Sequence, residues 1–357
     1  MTETSDMPNS AEQLWGRILD EETPPIVIAE ISGNHNGDKQ RAIELVRAAA
    51  ESGADVVKFQ HYTADTITAR STRPEFRVGS GSLWEGRYLW DLYEEASTPW
   101  EWTEDLIAVA NEARIAWFSS PFDETAVDFL EKFDPLMYKV ASFEIVDLPL
   151  IRKVAETGKP MILSTGMATE QEISDAVSVA QGHSNFPLVL LRTNSAYPAP
   201  ANEMDLRALP VIASKWRLPV GLSDHTLSDT AAIVATALGA RVFEKHFTLR
   251  RSDGGPDSAF SLEPEELKRY VSNIREAHSS LGTARLGPSE KEAMNVQFRP
   301  SVRATGNINH GELLTPLNTA TVRPAGGLEP KYLPDVLGKR AGRDIAIGEP
   351  LGWADLE

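Results

Sequence analysis

Residues 220–246 read VGLSDHTLSDTAAIVATALGARVFEKH, and this stretch decides the fold. Val220–Leu222 and Val242–Lys245 are short runs, apolar nearly throughout, as strands of a parallel sheet buried on both faces are. Between them Asp229–Leu238 has helical length, opens at Ser228-Asp229, where an N-cap is expected, and stops at Gly239. Working outward, the same alternation recurs. Further strands are predicted at Ile26–Ile31, Val56–Gln60, Ala116–Ser119, Met137–Ala141, Met161–Ser164 and Leu188–Leu191, with helices at Lys39–Glu51, Glu124–Glu131, Leu148–Glu156 and Glu170–Ala180. Eight successive βα units predict a (β/α)8 TIM barrel of about 250 residues. The competing doubly wound sheet usually carries a glycine-rich dinucleotide turn after its first strand, and none stands here.

The pattern divides the chain into a polar N-terminal extension (1–24), the barrel (25–286), a linker (287–297) and a β-rich module (298–357) punctuated by Gly306, Gly311, Pro316, Pro324 and later glycines. A module of about 60 residues is near the lower size limit for independent folding. Between Gln60 and Ala116 lies a long insertion holding Trp84, Trp90, Trp100 and Trp102. Such a segment is either a substrate-covering lid or packing for the barrel rim.

Composition excludes several classes of function. The formal charge of -17, from 35 basic and 52 acidic residues, argues against a nucleic-acid-binding surface. It leaves room for a small anionic substrate, because a few inward lysines can make one cleft positive. With no cysteine there is no disulfide, thiolate nucleophile or cysteine-ligated metal. The polar start lacks the basic end and apolar core of a signal peptide, and no apolar run approaches the roughly 20 residues that span a bilayer. A cytoplasmic protein with no membrane partner is expected.

In a barrel the reactive groups stand at the C-terminal strand ends. The first strand ends at Glu30 and runs into the polar loop Ser32-Gly33-Asn34-His35-Asn36-Gly37. In VVKFQ, alternation puts Lys58 and Gln60 on one face, and a buried lysine needs an anionic partner, either a substrate or Glu30 in a structural ion pair. Lys139 repeats the device, followed by Ser142 and Glu144. Ser119 and Ser120 end the third strand, Ser164-Thr165-Gly166 the fifth, and the sixth leads to Thr193-Asn194-Ser195-Ala196-Tyr197. Two inward lysines ringed by hydroxyls predict a socket for a carboxylate and a phosphate together.

His225 and His246 stand at adjacent strand ends. They could share one divalent ion with positions left open for substrate. The other reading is one structural histidine and one general base without metal. Asp257, in a glycine-proline loop after the eighth strand, is a candidate substrate contact, and Ser261 is expected to start the helix that follows.

Taken in order, AEISGNHNG (29–37), GADVVKFQ (53–60), STGMAT (164–169), GLSDHT (221–226), EKHFTL (244–249) and GPDSAFSLEPEEL (255–267) resemble the sialic acid synthase family. FRPSVRA (298–304) and VLGKRAGRD (336–344) resemble that family's antifreeze-like SAF module. The resemblance implies a synthase that condenses phosphoenolpyruvate with an amino-sugar aldehyde, with a divalent ion (Mn2+, Mg2+ or Co2+) on His225 and His246. It also implies a homodimer whose SAF module caps the partner's barrel. Carried across motif by motif, Lys58, Ser120, Lys139, Ser142, Ser164, Ser195 and Ser223 would hold phosphoenolpyruvate, with Gln60 beside them. Glu30, Glu144, Tyr197 and Asp257 would face the sugar or the reacting atoms, and Arg299 would reach across the dimer toward an acetamido group.

HYTADTIT (61–68), LWDLYEEASTPWEW (89–102) and VASFEIVDLPLI (140–151) look like the branch of the family that forms pseudaminic acid from 2,4-diacetamido-2,4,6-trideoxy-L-altrose. Branches forming legionaminate or N-acetylneuraminate more often show a glycine at the Phe143 position and a histidine at the Ser258 position. Two departures stand out. Relatives usually have a cysteine and a threonine where Thr193 and Asn194 stand, and often a second arginine where Pro300 stands. The rival readings are a synthase for one of the other two sugars, a metal-dependent aldolase acting on pyruvate, and a catalytically silent sugar-binding barrel.

Overall fold

A computed structural model describes residues 10–182 and 187–357. Eight parallel strands close into a barrel in sequence order: β1 (Ile26–Glu30), β2 (Val56–His61), β3 (Ala116–Pro121), β4 (Tyr138–Val140), β5 (Met161–Ser164), β6 (Leu188–Thr193), β7 (Val220–Asp224) and β8 (Val242–His246). Pairing of β1 with β8, Glu30 opposite His246, shuts the ring. Several strands run one or two residues beyond the apolar stretch that predicts them, into His61, Thr193, Asp224 and His246, whereas β4 is shorter than Met137–Ala141.

Alternation along each strand sorts the side chains. Val27, Ala29, Val57, Phe59, Leu188, Leu190, Leu222 and Phe243 face the surrounding helices in the main apolar cluster. Ile26, Ile28, Val56, Phe118, Ile162, Val189, Leu191 and Val242 fill the lower barrel interior. The helix α1 (Ala11–Leu19), within the polar extension, closes the bottom by burying Leu14 and Ile18 against that inner cluster. Arg17 pairs with Asp55 at 2.9 Å, and Arg241 donates to the carbonyls of Arg17 (3.0 Å) and Thr23 (2.7 Å) beyond the helix end. These bonds satisfy carbonyls that a helix C-terminus otherwise leaves without partners.

The outer helices are capped by side chains from the loops before them. Asp38 accepts from the backbone of Gln40 and Arg41, Asp123 from Thr125 and Ala126, and Thr169 forms a reciprocal box with Glu172. One expected helix start holds in position but without a side-chain cap, and another is corrected. Asp229 sits before helix Thr230–Ala237, but its carboxylate serves Arg269 (2.9 Å) and Asn273 (2.8 Å) of a neighbouring helix. That neighbour begins at Pro264 rather than Ser261, with Glu263 N–H donating to Glu266. Ser261 lies before the helix, buried, and donates to the Asp257 carbonyl at 2.6 Å.

The chain divides into two compact units, Met1–Gly282 and Thr283–Glu357. The second holds the antiparallel pair β9 (Ser301–Ala304) and β10 (Thr319–Val322) around a small core of Val302, Ile308, Leu314, Val336, Ile345 and Leu351. Among the described residues no helix is long and apolar enough to cross a membrane.

Candidate active site

Two residues above the apolar inner layer, the same inward-facing series turns polar. Glu30, Lys58, Ser120, Lys139, Ser164, Thr193, Ser223, Glu244 and His246 continue the parity of Ile28, Val56, Phe118, Met137, Ile162, Leu191, Gly221 and Val242. Lys58 is the hub. Its ammonium is in ion-pair contact with Glu30, lies 3.4 Å from Glu244 and donates to Ser120 Oγ at 2.9 Å. Lys139 Nζ lies 3.9 Å from the same Glu244 and donates to the Val140 carbonyl at 3.1 Å. Ser223 Oγ donates to Glu244 at 3.2 Å.

None of these four charged residues is more than 4% exposed, so each is costly unless its neighbours compensate. Burial pushes Glu30 up to about 7, against the opposing pull of Lys58. Burial also pushes Lys139 down to about 8 despite Glu244. Glu244 stays below the usual carboxylate range because Lys139 and Lys58 outweigh its burial. Lys58 is raised because Glu244 and Glu30 outweigh its own burial. Once Glu30 holds a proton, the cluster carries two ammonium groups against one carboxylate, and an anion entering it meets net positive charge.

Beside the lysines lies a patch of hydroxyls without partners. Ser164 Oγ, Thr193 Oγ1 and Ser195 Oγ are buried and have no hydrogen-bond partner among the described residues. Buried polar atoms are nearly always satisfied, so such a group is what a ligand or water completes. Gly166 permits the convergence: a Cβ there would stand 2.3 Å from Ser195 Oγ and 2.7 Å from Ser142 Oγ. A cavity of about 500 Å³ opens alongside, lined by Met167, Thr193, Asn194 and Ser195.

Next to this patch stand the two imidazoles, ring centres 5.5 Å apart. His225 Nδ1 meets the Asn194 carbonyl at 2.8 Å, and because a carbonyl only accepts, Nδ1 carries the proton. His246 Nδ1 meets Ser32 Oγ at 3.2 Å. Burial pushes His225 down to about 4 and holds His246 well below the usual imidazole range, so both rings are neutral at physiological pH. A neutral ring fixed through Nδ1 presents its Nε2 lone pair, which is what metal ligation requires. Among the described residues no three His, Cys, Asp or Glu side chains group as a closed metal site. Two neutral imidazoles at adjacent strand ends are a donor set that could hold an ion, with substrate oxygen and water left to complete it.

Above the imidazoles Tyr197 packs on His225 (4.3 Å) and Phe260 (4.8 Å), and Phe260 on His246 (4.8 Å). From the insertion, Trp84 packs on Tyr197 and donates to the Pro256 carbonyl at 2.7 Å. The other three tryptophans serve the rim: Trp90 bonds Asp65, Trp100 packs on Phe129, and Trp102 meets His35 edge-on. Glu144, in the turn after β4, is pushed up to about 7 by burial and has one carboxylate oxygen without a partner. Asp257 accepts from Gly33 N–H at 3.2 Å, and half-buried Gln60 sits opposite Ser120.

Most of the residues singled out in the sequence thus converge on the upper mouth of the barrel. Arg299 belongs to the second unit, where it is exposed and follows the short helix Met294–Phe298. Ser119, grouped above with Ser120, faces outward instead and bonds His61 at 2.7 Å. Asn34 and His35 hold the rim, bonding the Phe247 carbonyl and Thr98. Thr193, named at the end of the sixth strand, is inward as expected, whereas Glu244, the shared partner of both lysines, is an addition of the structure. Counting two residues back from His246 points to it.

Comparison with known proteins places the chain among relatives of known name. Residues 45–285 match the NeuB family and residues 299–357 match the SAF domain. A pseudaminic acid synthase of Campylobacter jejuni is 41% identical over 330 residues, covering 92% of this chain and 96% of that one. Its namesake in Helicobacter pylori is 41% identical over 336 residues, covering 94% and 98%. The N,N'-diacetyllegionaminic acid synthase of Campylobacter jejuni is 36% identical over 328 residues, covering 91% and 98%. The crystal structure of an N-acetylneuraminic acid synthetase from Leptospira borgpetersenii superposes with a TM-score of 0.69 at 29% identity, covering 77% of this chain and 91% of that one.

Proposed function

This chain belongs to the NeuB family, and on that premise we propose that it condenses phosphoenolpyruvate with 2,4-diacetamido-2,4,6-trideoxy-L-altrose and water, giving pseudaminic acid and inorganic phosphate. The observation that carries the reaction type is the buried Lys58–Lys139 pair beside the unpartnered hydroxyls of Ser164, Thr193 and Ser195. The choice of sugar rests on the higher identity to pseudaminic acid synthases, 41% against 36% for a legionaminate synthase.

In this reading Lys58 and Lys139 hold the carboxylate and phosphate, and Ser120, Ser142, Ser164, Ser195 and Ser223 donate to their oxygens. His225 and His246 hold a divalent ion, manganese, magnesium or cobalt, which when bound supplies Lewis-acid stabilisation of the oxyanion developing on the sugar aldehyde. C3 of phosphoenolpyruvate bonds to the aldehyde carbon with the C2=C3 π pair, leaving a cation at C2. The aldehyde π pair moves to its oxygen, which takes up a proton to become a hydroxyl. Water adds at C2, and cleavage of the C2–O bond releases phosphate. Glu30, pushed up to about 7, can take the proton of that water near neutral pH. Glu144 and Asp257 bind sugar hydroxyls, Tyr197 and Trp84 wall the cleft, and Gln60 flanks the socket. The chain acts as a homodimer, through which Arg299 of a second copy meets an acetamido group.

Phosphoenolpyruvate carrying 18O in the bridging position tests the chemistry. The reading predicts label in the released phosphate. Label retained in the sugar acid contradicts it in favour of P–O cleavage, and consumption of pyruvate without phosphate release contradicts it in favour of an aldolase.

A further inference from the structure

Behind the two imidazoles, on the outward side of the same strands, lies a buried polar cluster that the reaction does not use. Asp224, Thr226, Lys245 and Tyr270 are each no more than 2% exposed. Asp224 is its centre. One carboxylate oxygen accepts from Thr226 N–H at 2.9 Å; the other accepts from Tyr270 OH at 3.2 Å and lies 3.1 Å from Lys245 Nζ. Lys245 also donates to the Thr226 carbonyl, and its ammonium stands 5.4 Å from the centre of the Tyr270 ring.

The order of the chain ties this cluster to the site. Asp224 and Thr226 are the residues on either side of His225, and Lys245 precedes His246. Asp224 opposite Lys245 is the last rung of the β7–β8 ladder, so His225 stands one residue past the point where strand pairing holds it to β8. From the loop after β6, His225 is held by the Asn194 carbonyl on its ring and by Ala199 N–H on its own carbonyl. Toward His246 the hold is Lys245, which bonds both the residue before His225 and the residue after it.

A buried ion pair is weak evidence for stability. Desolvation of two charges often cancels their attraction, and an uncharged replacement of similar shape is often as stable. We propose that Lys245 and Asp224 are positioning residues, a clamp that sets the spacing of His225 and His246 so that both rings reach one divalent ion. The proposal rests on the two-histidine site described above, and its test reads binding of the ion rather than turnover.

Asp224→Asn combined with Lys245→Met removes both charges and leaves neither buried without a partner. The new amide can still accept from Thr226 N–H and donate to the Tyr270 hydroxyl. Tyr270→Phe is the control, since it removes one bond to Asp224 and leaves the clamp on both sides of His225. The measurement is Mn2+ binding to the full-length protein without substrates, read from loss of the free-ion electron paramagnetic resonance signal. A chain of net charge -17 offers Mn2+ other weak sites, so His225→Gln marks the component that belongs to the two rings. Thermal melting is recorded alongside.

Outer partners of metal-ligating histidines are typically worth 10–100-fold in affinity, so the double variant should weaken that component about 10-fold or more. It should keep a single cooperative melting transition, and Tyr270→Phe should stay within about twofold of the unaltered protein. A loss below about threefold in the double variant overturns the clamp. So does an equal loss in Tyr270→Phe, which would assign the effect to packing at large. A double variant that does not fold overturns it as well, because the pair would then carry stability. An unaltered protein with no His225-dependent binding removes the two-histidine site and the clamp together. Release of phosphate with the wrong sugar, or with none, overturns only the assigned reaction and leaves the binding result standing.

Discussion

The lower and upper halves of the barrel interior are built on the same eight strands and differ by two residues of chain. Below, Ile28, Val56, Phe118, Ile162, Leu191 and Val242 interlock with Leu14 and Ile18 of the closing helix. Above, the same side of the same strands carries Glu30, Lys58, Lys139, Ser164, Thr193, Ser223 and Glu244. The lower layer gains stability from apolar burial, about 25 cal/mol for each Å². The upper layer gathers charges whose desolvation is expensive and leaves hydroxyls without partners. Stability and chemistry are thus separated by one step of the strand repeat, and substitutions in the two layers should fail in different ways.

The largest expected effect is at the hub above. Lys58→Met removes the cation shared by Glu30, Glu244 and Ser120. Loss of an electrostatic contact to the reacting anion should lower kcat/KM by at least about 10²–10³. Retention of most activity, measured by phosphate release, would break the assignment of the upper layer.

Phe118→Ala, one step down the strand series, is the counterpart. The fully buried ring should cost about 3–5 kcal/mol in denaturant unfolding. Turnover of the folded fraction should stay near that of the unaltered protein. A matching fall in kcat would show that the layers are not separable.

A subtler difference concerns pH. Glu144 is raised to about 7, above the ordinary 4.5, so the folded state binds more protons between those values. The favourable contribution is complete below about 4.5 and fades as pH rises through about 7, a change of up to about 3 kcal/mol. Glu144→Gln, which cannot lose a proton, should flatten that part of the melting-temperature profile. It should also lower turnover more than apparent phosphoenolpyruvate affinity. An unchanged slope with unchanged turnover would remove Glu144 from the site.

The barrel was legible because its strands are apolar on both faces, a pattern that survives in one sequence. Helices Lys39–Glu51 and Leu148–Glu156 were read to the residue, since polar caps and proline or glycine signals bound them. The apolar criterion also explains the strand-end errors. It stops where the chemistry starts, so Thr193, Asp224 and His246 fell outside the predicted strands although their backbones continue the ladder. Glu244 is not distinguishable from its charged neighbour Lys245 by composition, and only strand parity separates the two. Lys245 faces outward to a buried pair with Asp224 at 3.1 Å, while Glu244 faces the lysines. The register that sets Glu30 beside both Lys58 and His246 is a property of barrel closure, visible only in three dimensions.

The most direct measurement is release of inorganic phosphate from phosphoenolpyruvate with Mn2+ and each of three sugars in parallel. These are 2,4-diacetamido-2,4,6-trideoxy-L-altrose, its D-mannose counterpart and N-acetylmannosamine. Release with the L-altrose sugar alone, abolished by EDTA, is the predicted result. Release with one of the others instead would overturn the sugar, and release with none would contradict the account of the upper layer as a condensing site.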